Sequence, residues 1–138
     1  MAPRNLSLPV VEFSVSSYLA GMSDYLNISD FLMPVNHHDV TNSVVYKDGQ
    51  IGKTIEIHDK EFPDLDDAQI VLVGCGDQRG GGLLNGLSQA PDIIRRHFYQ
   101  LFYWHQDIKI ADVGNIKSGS VFTDSYAALK TVVQELMN

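Results

Sequence analysis

The sequence has little of what marks several protein classes. It contains a single cysteine, Cys75, so no disulfide can form within the chain, and the cytoplasm is the expected location. Lys and Arg number 10 against 17 Asp and Glu, whereas a nucleic-acid groove needs a clustered basic face. No apolar run approaches membrane-spanning length, and the apolar stretch at the N-terminus is too short for a secretory signal. We therefore expect no nucleic-acid partner and no membrane partner.

What remains is the composition of a folded domain. The 138 residues are 44% hydrophobic and 20% charged, which is enough apolar material for a core within one domain. Residues 1–60 form a mixed N-terminal extension, and residues 61–138 carry a clearer pattern. Within the extension, 44–46 and 51–57 predict a β-hairpin, because β-branched and aromatic residues flank the turn-forming pair Asp48-Gly49.

The second part of the chain predicts an α/β fold. AQIVLVG (68–74) is a continuous apolar run, typical of a strand covered on both faces of a parallel sheet, and IKIADVG (108–114) predicts its neighbour. Helices are predicted at about 91–103 and 123–137. Strand, helix, strand, helix at this spacing indicates a right-handed crossover and two parallel strands. Because two parallel strands make a poor domain by themselves, the pattern indicates part of a larger sheet.

Each predicted helix has an apolar face. In the first helix, Pro91 suits the opening turn, and Arg95 and Arg96 fall mainly off the apolar face, where they could bind a carboxylate or lie in solvent. In the second helix, Thr123 is the predicted N-cap. The residues predicted to be buried are Ile94, Phe98, Leu101 and Phe102 in the first helix, and Tyr126, Leu129, Val133, Leu136 and Met137 in the second.

A glycine-rich loop separates the first strand from the first helix. Gly74 and Gly76 fit the first two glycines of a dinucleotide-binding motif, but Arg79 stands at the third, and a long segment follows before the helix begins. A P-loop is excluded, because Gly82 and Leu83 stand where its lysine and its hydroxyl residue are needed. A nucleotide-binding domain therefore stays only as a weaker alternative.

Several motifs follow one another along residues 68–137. They are the strand IVLVG, the loop motifs Arg79-Gly80-Gly81 and Asn85-Gly86, APxxIRR (90–96), ADVGN (111–115) and YAAL (126–129). In this order and spacing they resemble the N-terminal segment of the ureohydrolase family, which comprises arginases, agmatinases and formimidoylglutamases. Ala90 departs from the family motif, which has glycine there. Residues 1–60 match only loosely, in a way closer to bacterial formimidoylglutamase-like members than to animal arginases.

The resemblance implies a three-layer α/β/α fold of arginase type around one large parallel sheet, of which this chain holds only the first βαβα portion. It implies hydrolysis of a guanidino or formimino C–N bond of a small amino-acid-derived substrate, with two manganese ions and a bridging hydroxide. Metal-bound water has a pKa lowered toward neutrality, so it can attack at physiological pH. The family's Asp- and His-rich ligand motifs are expected only after Asn138, so we assign no metal ligand and no catalytic residue here, and expect no catalysis from this chain alone.

The same resemblance implies an incomplete sheet. In the family, the first strand lies between the second strand and a third from later sequence. An apolar strand that lacks one neighbour is a template for pairing with another chain. Either the 44–57 hairpin covers this edge or two chains associate. We expect a homo-oligomer, because Gly52 and Lys53 make the second arm of the hairpin a weak partner. A non-catalytic interaction or oligomerisation module with this fold is the alternative to an enzyme.

The loop after the first strand holds the candidate substrate-mouth residues Arg79, Gly80, Gly81 and Asn85, because ligands of open α/β sheets bind beyond the carboxyl ends of the strands. Arg79 could bind a substrate carboxylate with its forked guanidinium. Alternatively, it anchors the long loop by donating to backbone carbonyls.

Three other groups of residues suggest metal binding, catalysis or ligand binding, but each has a simpler structural interpretation. His37-His38-Asp39 could be a metal corner, but no third ligand motif is visible, so a surface turn is expected. Cys75 has no histidine placed to activate it and is interpreted as an inert packing residue. The aromatic residues within 98–104 occur at helical spacing and are predicted to lie in the core.

Overall fold

The computed structural model describes residues 27–41, 43–82 and 87–138, which form a mixed α/β fold. Short 3-10 helices cover Ile28–Phe31 and Arg79–Gly81. The remaining elements are, in chain order, β1 (Leu32–Met33), α1 (His37–Thr41), α2 (Ile51–Thr54), β2 (Glu56–Ile57), β3 (Ala68–Gly74), α3 (Ala90–Phe98), β4 (Lys109–Ile116) and α4 (Phe122–Leu136). No helix among the described residues is long and apolar enough to cross a membrane.

β4 is the central strand of a four-stranded sheet. β3 runs parallel to it, from Ala68 opposite Lys109 to Gly74 opposite Asn115. β2 pairs with β4 in parallel and β1 pairs with it antiparallel. Both of these short strands meet β4 at residues that β3 also pairs, so they must lie along its opposite edge. Within the described residues, β3 therefore has β4 on one side and no strand on the other.

The two strands predicted in the second half of the chain are confirmed as parallel neighbours, and both helices are present. The first helix ends at Phe98 rather than near 103, because the chain beyond it bonds to the segment around Gly49 instead of continuing as a helix. The second helix begins at Phe122, and its N-cap is Val121 rather than Thr123.

The predicted hairpin between 44–46 and 51–57 is wrong. Residues 51–54 form one turn of helix, and Glu56–Ile57 pairs in parallel with β4. The Asp48-Gly49 turn is present, with Gly49 at a φ of 88°. After it, however, the N–H groups of Ile51 and Gly52 donate to carbonyls at residues 101 and 99, at 3.0 and 2.8 Å. These distant partners replace the local strand pairing that the hairpin would have used.

The core lies on both faces of the sheet. Val71 and Val73 of β3 join a cluster with Val113 and with Val132 of α4. Leu72 joins a second cluster that contains Tyr99 at the end of α3. Because successive strand residues point to opposite faces, α3 and α4 cover opposite faces of the sheet.

The predicted buried sides of the two helices are wrong in part. In α3, Ile94 is 66% exposed while Arg95 is only 4% exposed, because Arg95 and Tyr99 provide the contact with the sheet. The expectation of an aromatic core holds for Tyr99 but is wrong for the exposed Phe102 and Trp104. In α4, the buried apolar residue is Val132, and three residues predicted to be buried are exposed: Tyr126, Val133 and Met137.

Candidate functional site

A cleft lies at the carboxyl ends of β3 and β4, where the glycine-rich loop begins. Its volume is about 280 Å³. It is the place where ligands of parallel α/β sheets usually bind. We call it the strand-end cleft. Its lining residues are Met33, Gly76, Leu87, Ser88, Gln89, Pro91, Asp92, Asn115 and Ile116.

Asp92 and Asn115 are the polar side chains on one wall of the strand-end cleft, and Arg95 holds both of them. Nη1 of Arg95 donates to Oδ1 of Asp92 at 3.1 Å and to Oδ1 of Asn115 at 2.5 Å. Nδ2 of Asn115 donates to Oδ1 of Asp92 at 3.3 Å. The guanidinium of Arg95 therefore holds both side chains from the side away from the cleft, and the carboxylate of Asp92 partly faces the cleft.

Behind this wall lies a buried ion pair. Arg95 donates to both carboxylate oxygens of Asp112, at 2.7 and 2.9 Å. The hydroxyl of Tyr99 donates to Oδ2 of Asp112 at 2.8 Å, and the N–H of Gly114 donates to Oδ1 at 3.0 Å. Burial and the neighbouring Asp112 carboxylate both raise the pKa of Tyr99, so this phenol stays protonated. A buried carboxylate with this many donors is satisfied and is held in one orientation.

Two glycines make the close approaches that this arrangement needs. A Cβ on Gly74 would lie 1.8 Å from Oδ1 of Asn115 and 2.9 Å from Nη1 of Arg95, so only glycine leaves room for those side chains to meet there. Gly114 has a φ of 92°, and a Cβ on it would lie 2.1 Å from the carbonyl oxygen of Met33. This second glycine lets β1 pair closely against β4.

The predicted mouth residue Arg79 is bound to the chain itself. Its guanidinium forms an ion pair with Asp77, with Nη2 2.6 Å from Oδ2. It also donates to the carbonyls of Gly119 and Ser120 and to the hydroxyls of Ser118 and Ser125. The hydrogen bonds from Arg79 hold the pKa of Asp77 well below its ordinary value. This geometry favours the interpretation that Arg79 anchors the long loop, because its hydrogen bonds join the loop after β3 to the loop after β4.

The other candidate residues are placed as follows. Gly80 and Gly81 are exposed in the 3-10 helix that follows Asp77, while Asn85 lies outside the described residues. His37-His38-Asp39 is exposed as predicted, but it forms the start of α1 rather than a turn. Cys75 is exposed, so its interpretation as a packing residue is wrong.

The described residues do not by themselves fit a two-manganese centre. Within residues 27–41, 43–82 and 87–138, no group of three or more His, Cys, Asp or Glu side chains converges as metal ligands would. Asp92, which lines the cleft, and Asp112, which lies behind its wall, are both bound by Arg95. We therefore derive no chemical step through a metal ion at these residues.

Sequence reasoning did not assign a role to Asp112, Asn115 or Tyr99. The signal for Asp112 was an ionisable residue inside an otherwise apolar strand, because such a charge must find a partner when buried.

Comparisons with protein-family models, with curated proteins and with solved structures find no match to this chain. The fold and the cleft define the chain as an α/β protein with a cleft at the ends of its parallel strands, one wall of which is polar.

Proposed function

We propose that this chain is the N-terminal part of a cytoplasmic, manganese-dependent ureohydrolase of arginase-type fold. Its substrate would be a small amino-acid derivative with a guanidino or formimino group. One observation carries the proposal. Two motifs of the resemblance, APxxIRR and ADVGN, come together in space, where Arg95 binds Asp112 and also Asn115, which lines the strand-end cleft.

The arrangement of layers also supports the proposal. α3 and α4 cover opposite faces of a sheet whose longest strands are parallel, as the first units of a three-layer α/β/α protein would. The polar wall of the cleft lies at the carboxyl ends of those strands, where the active sites of open α/β sheets are found.

In such an enzyme this chain would shape the substrate site and would not activate water. Bound manganese ions would supply the nucleophilic hydroxide, held by ligands from later sequence. Asp92 and Asn115 would offer polar contacts at the wall of the cleft, oriented by Arg95. Arg79, Gly80, Gly81 and Asn85 would border the mouth, with Arg79 holding the loop in position through Asp77.

The coding sequence downstream of Asn138 tests the proposal without any protein chemistry. We expect a further apolar strand soon after this position, followed by Asp and His residues at ligand spacing. A stop codon directly after Asn138, or a continuation without such residues, would refute the ureohydrolase assignment.

The second candidate is a non-catalytic interaction or oligomerisation module with the same fold. The observation in its favour is that one side of β3 pairs with no strand among the described residues, together with exposed apolar residues on both helices. A nucleotide-binding domain is less well supported, because the first turn of α3 carries Asp92, and an acidic residue there disfavours a phosphate. A shift in melting temperature on addition of a dinucleotide would support the nucleotide-binding domain.

A further inference from the structure

A polar cavity lies between α1 and the first two turns of α3. Its volume is about 310 Å³, within the size range of small-molecule sites. Among the described residues, the side chains that line it are all polar or charged: His38, Asp39, Gln89, Asp92 and Arg96. We call it the polar cavity. Gln89 and Asp92 also line the strand-end cleft, so the two spaces adjoin at these residues.

Asp92 and Arg96 carry opposite charges on the side of α3 that faces the polar cavity. They are four residues apart, which is the spacing at which an acid and a base on a helix surface usually pair. The structure describes both side chains, and they form no ion pair with each other. The charges are therefore kept apart by other contacts, and the polar cavity lies between them.

Each of the two charges is held by another part of the protein. Oδ1 of Asp92 accepts from Arg95 and Asn115, at 3.1 and 3.3 Å. Arg96 donates through Nε and Nη2 to the backbone carbonyl of Asp39, at 3.2 and 2.8 Å. Oδ2 of Asp92 and Nη1 of Arg96 have no hydrogen-bond partner among the described residues. One carboxylate oxygen and one edge of a guanidinium thus stay available on the same side of the helix.

The charges around the polar cavity decide which ligand fits. An anion beside Arg96 would also meet the nearby carboxylates of Asp39 and Asp92, and a cation beside Asp92 would also meet the guanidinium of Arg96. A ligand with both charges on neighbouring atoms satisfies both sides, because its carboxylate can bind Arg96 while its ammonium binds Asp92. An α-amino acid carries these two groups on one carbon atom.

We propose that the polar cavity binds the ammonium and carboxylate groups of a small α-amino acid. Nη1 of Arg96 donates to the ligand carboxylate, and Oδ2 of Asp92 accepts from the ligand ammonium. Gln89 borders both spaces and offers its amide group to the ligand. The side chain of the amino acid extends past Asp92 into the strand-end cleft, where Met33 and Ile116 supply apolar surface.

This site deepens the proposed function, because the substrate named there is itself an amino-acid derivative, and it rests on that function only for the identity of the ligand side chain. The two proposals can fail separately. An unsuitable coding sequence after Asn138 would leave amino-acid binding by this chain untouched. Loss of amino-acid binding would leave the metal-ligand motifs expected after Asn138 untouched.

The first experiment titrates the isotopically labelled 138-residue chain with glycine and follows the backbone amide signals by nuclear magnetic resonance. Glycine should shift the signals of Asp39, Asp92 and Arg96 in a saturable way. Acetate and methylammonium each carry one of the two charges, and at equal ionic strength neither should give saturable shifts at these residues. Glycine shifts that do not saturate there, or equal shifts with either single-charge probe, would overturn the proposal.

Substitutions in the polar cavity test the two contacts one at a time. Arg96→Leu and Asp92→Asn should each weaken glycine binding by about tenfold or more, because each removes a charged hydrogen-bonding partner. Lys130→Leu and Asp64→Asn are the matched controls and should bind glycine as the wild type does. They remove the same charges from an exposed position on α4 and from a side chain that is 70% exposed. Circular dichroism verifies folding, and Arg96→Leu alone decides the outcome if Asp92→Asn does not fold. Undiminished glycine binding by a folded cavity variant would contradict the proposal.

A titration with L-leucine tests the direction of the ligand side chain. In addition to the signals of the polar cavity, L-leucine should shift those of Asn115 and Ile116, which line the strand-end cleft. Glycine, which has no side chain to enter the cleft, should leave these two signals unchanged. Shifts of Asn115 and Ile116 by L-leucine would support the proposal, and L-leucine shifts confined to the polar cavity would show that the side chain does not enter the cleft.

Discussion

The guanidinium of Arg95 and the carboxylate of Asp112 form two parallel hydrogen bonds, 2.7 and 2.9 Å long, between α3 and the central strand. Both side chains are buried, and Asp112 is fully inaccessible to solvent. The helix is thus attached to the sheet by a charged pair rather than by apolar side chains alone. Breaking such a pair by removing one partner leaves the other charge buried without compensation.

Replacement of Arg95 should therefore be strongly destabilising. Arg95→Leu should lower the free energy of unfolding by about 3–5 kcal/mol, because Asp112 loses its cation inside the protein. The measurement is urea denaturation followed by circular dichroism. Arg96→Leu is the matched control. Arg96 is the next residue, and among the described residues its side chain donates to the exposed backbone carbonyl of Asp39 alone, so its loss should lower the free energy of unfolding by no more than about 0.5 kcal/mol. Equal effects of the two substitutions would show that the buried pair is not what attaches α3.

The phenol of Tyr99 should not ionise while the protein is folded. Burial, together with the Asp112 carboxylate, raises its pKa far above the ordinary value of 10.0. In the unfolded chain Tyr99 releases its proton near that ordinary value. The folded protein therefore holds one more proton there, and stability must fall as pH rises above about 10. Tyr99→Phe should remove this part of the pH dependence. In an ultraviolet titration of tyrosinate, wild type and Tyr99→Phe should give the same amplitude until unfolding begins.

Asp77 should stabilise the protein only above its unfolded pKa. Arg79 holds the folded pKa of Asp77 below the ordinary value of 3.8, so the stabilisation is present at neutral pH and is lost as pH falls below about 4. Asp77→Asn should be less stable than wild type at neutral pH, and the difference should shrink as the pH is lowered through that range. Denaturation curves at several pH values measure it. Asp64→Asn serves as the control, because the Asp64 side chain is 70% exposed, and it should show little difference at any pH.

Gly114 should tolerate no side chain. Gly114→Ala places a Cβ 2.1 Å from the carbonyl oxygen of Met33 at a φ of 92°, so it should separate β1 from β4. We expect a loss of at least about 1–3 kcal/mol from the backbone conformation, with the clash in addition. Gly81→Ala is the matched control, since a Cβ there meets nothing within 4 Å. Melting temperatures of the two variants give the comparison, and a stable Gly114→Ala variant would contradict the described pairing of β1.

The strands and helices of the second half could be predicted because their signals are local. A continuous apolar run such as residues 68–74 favours a strand covered on both faces, and the spacing of turn formers sets where the helices lie. The hairpin prediction failed because its decisive hydrogen bonds come from residues about fifty positions later in the chain. Nothing in residues 44–57 by themselves reports those partners.

The site was predicted less well than the fold, for a related reason. The motifs that contain Arg95 and Asp112 were visible, but the pairing between them depends on how α3 crosses the sheet. The apolar periodicity of the helices pointed to Ile94 and Tyr126 as buried, and both are exposed. Periodicity reports where an apolar partner is needed, whether or not the described residues supply it.

The proposal that this chain belongs to a ureohydrolase is tested most directly by one activity measurement. The full-length protein encoded by the reading frame is incubated with Mn²⁺ and a set of amino-acid-derived guanidino and formimino compounds, and release of urea or formamide is measured beside the 138-residue chain. We expect manganese-dependent release from at least one compound by the full-length protein and none by the chain of 138 residues. A correctly folded full-length protein that releases neither product, with or without Mn²⁺, would contradict the assignment.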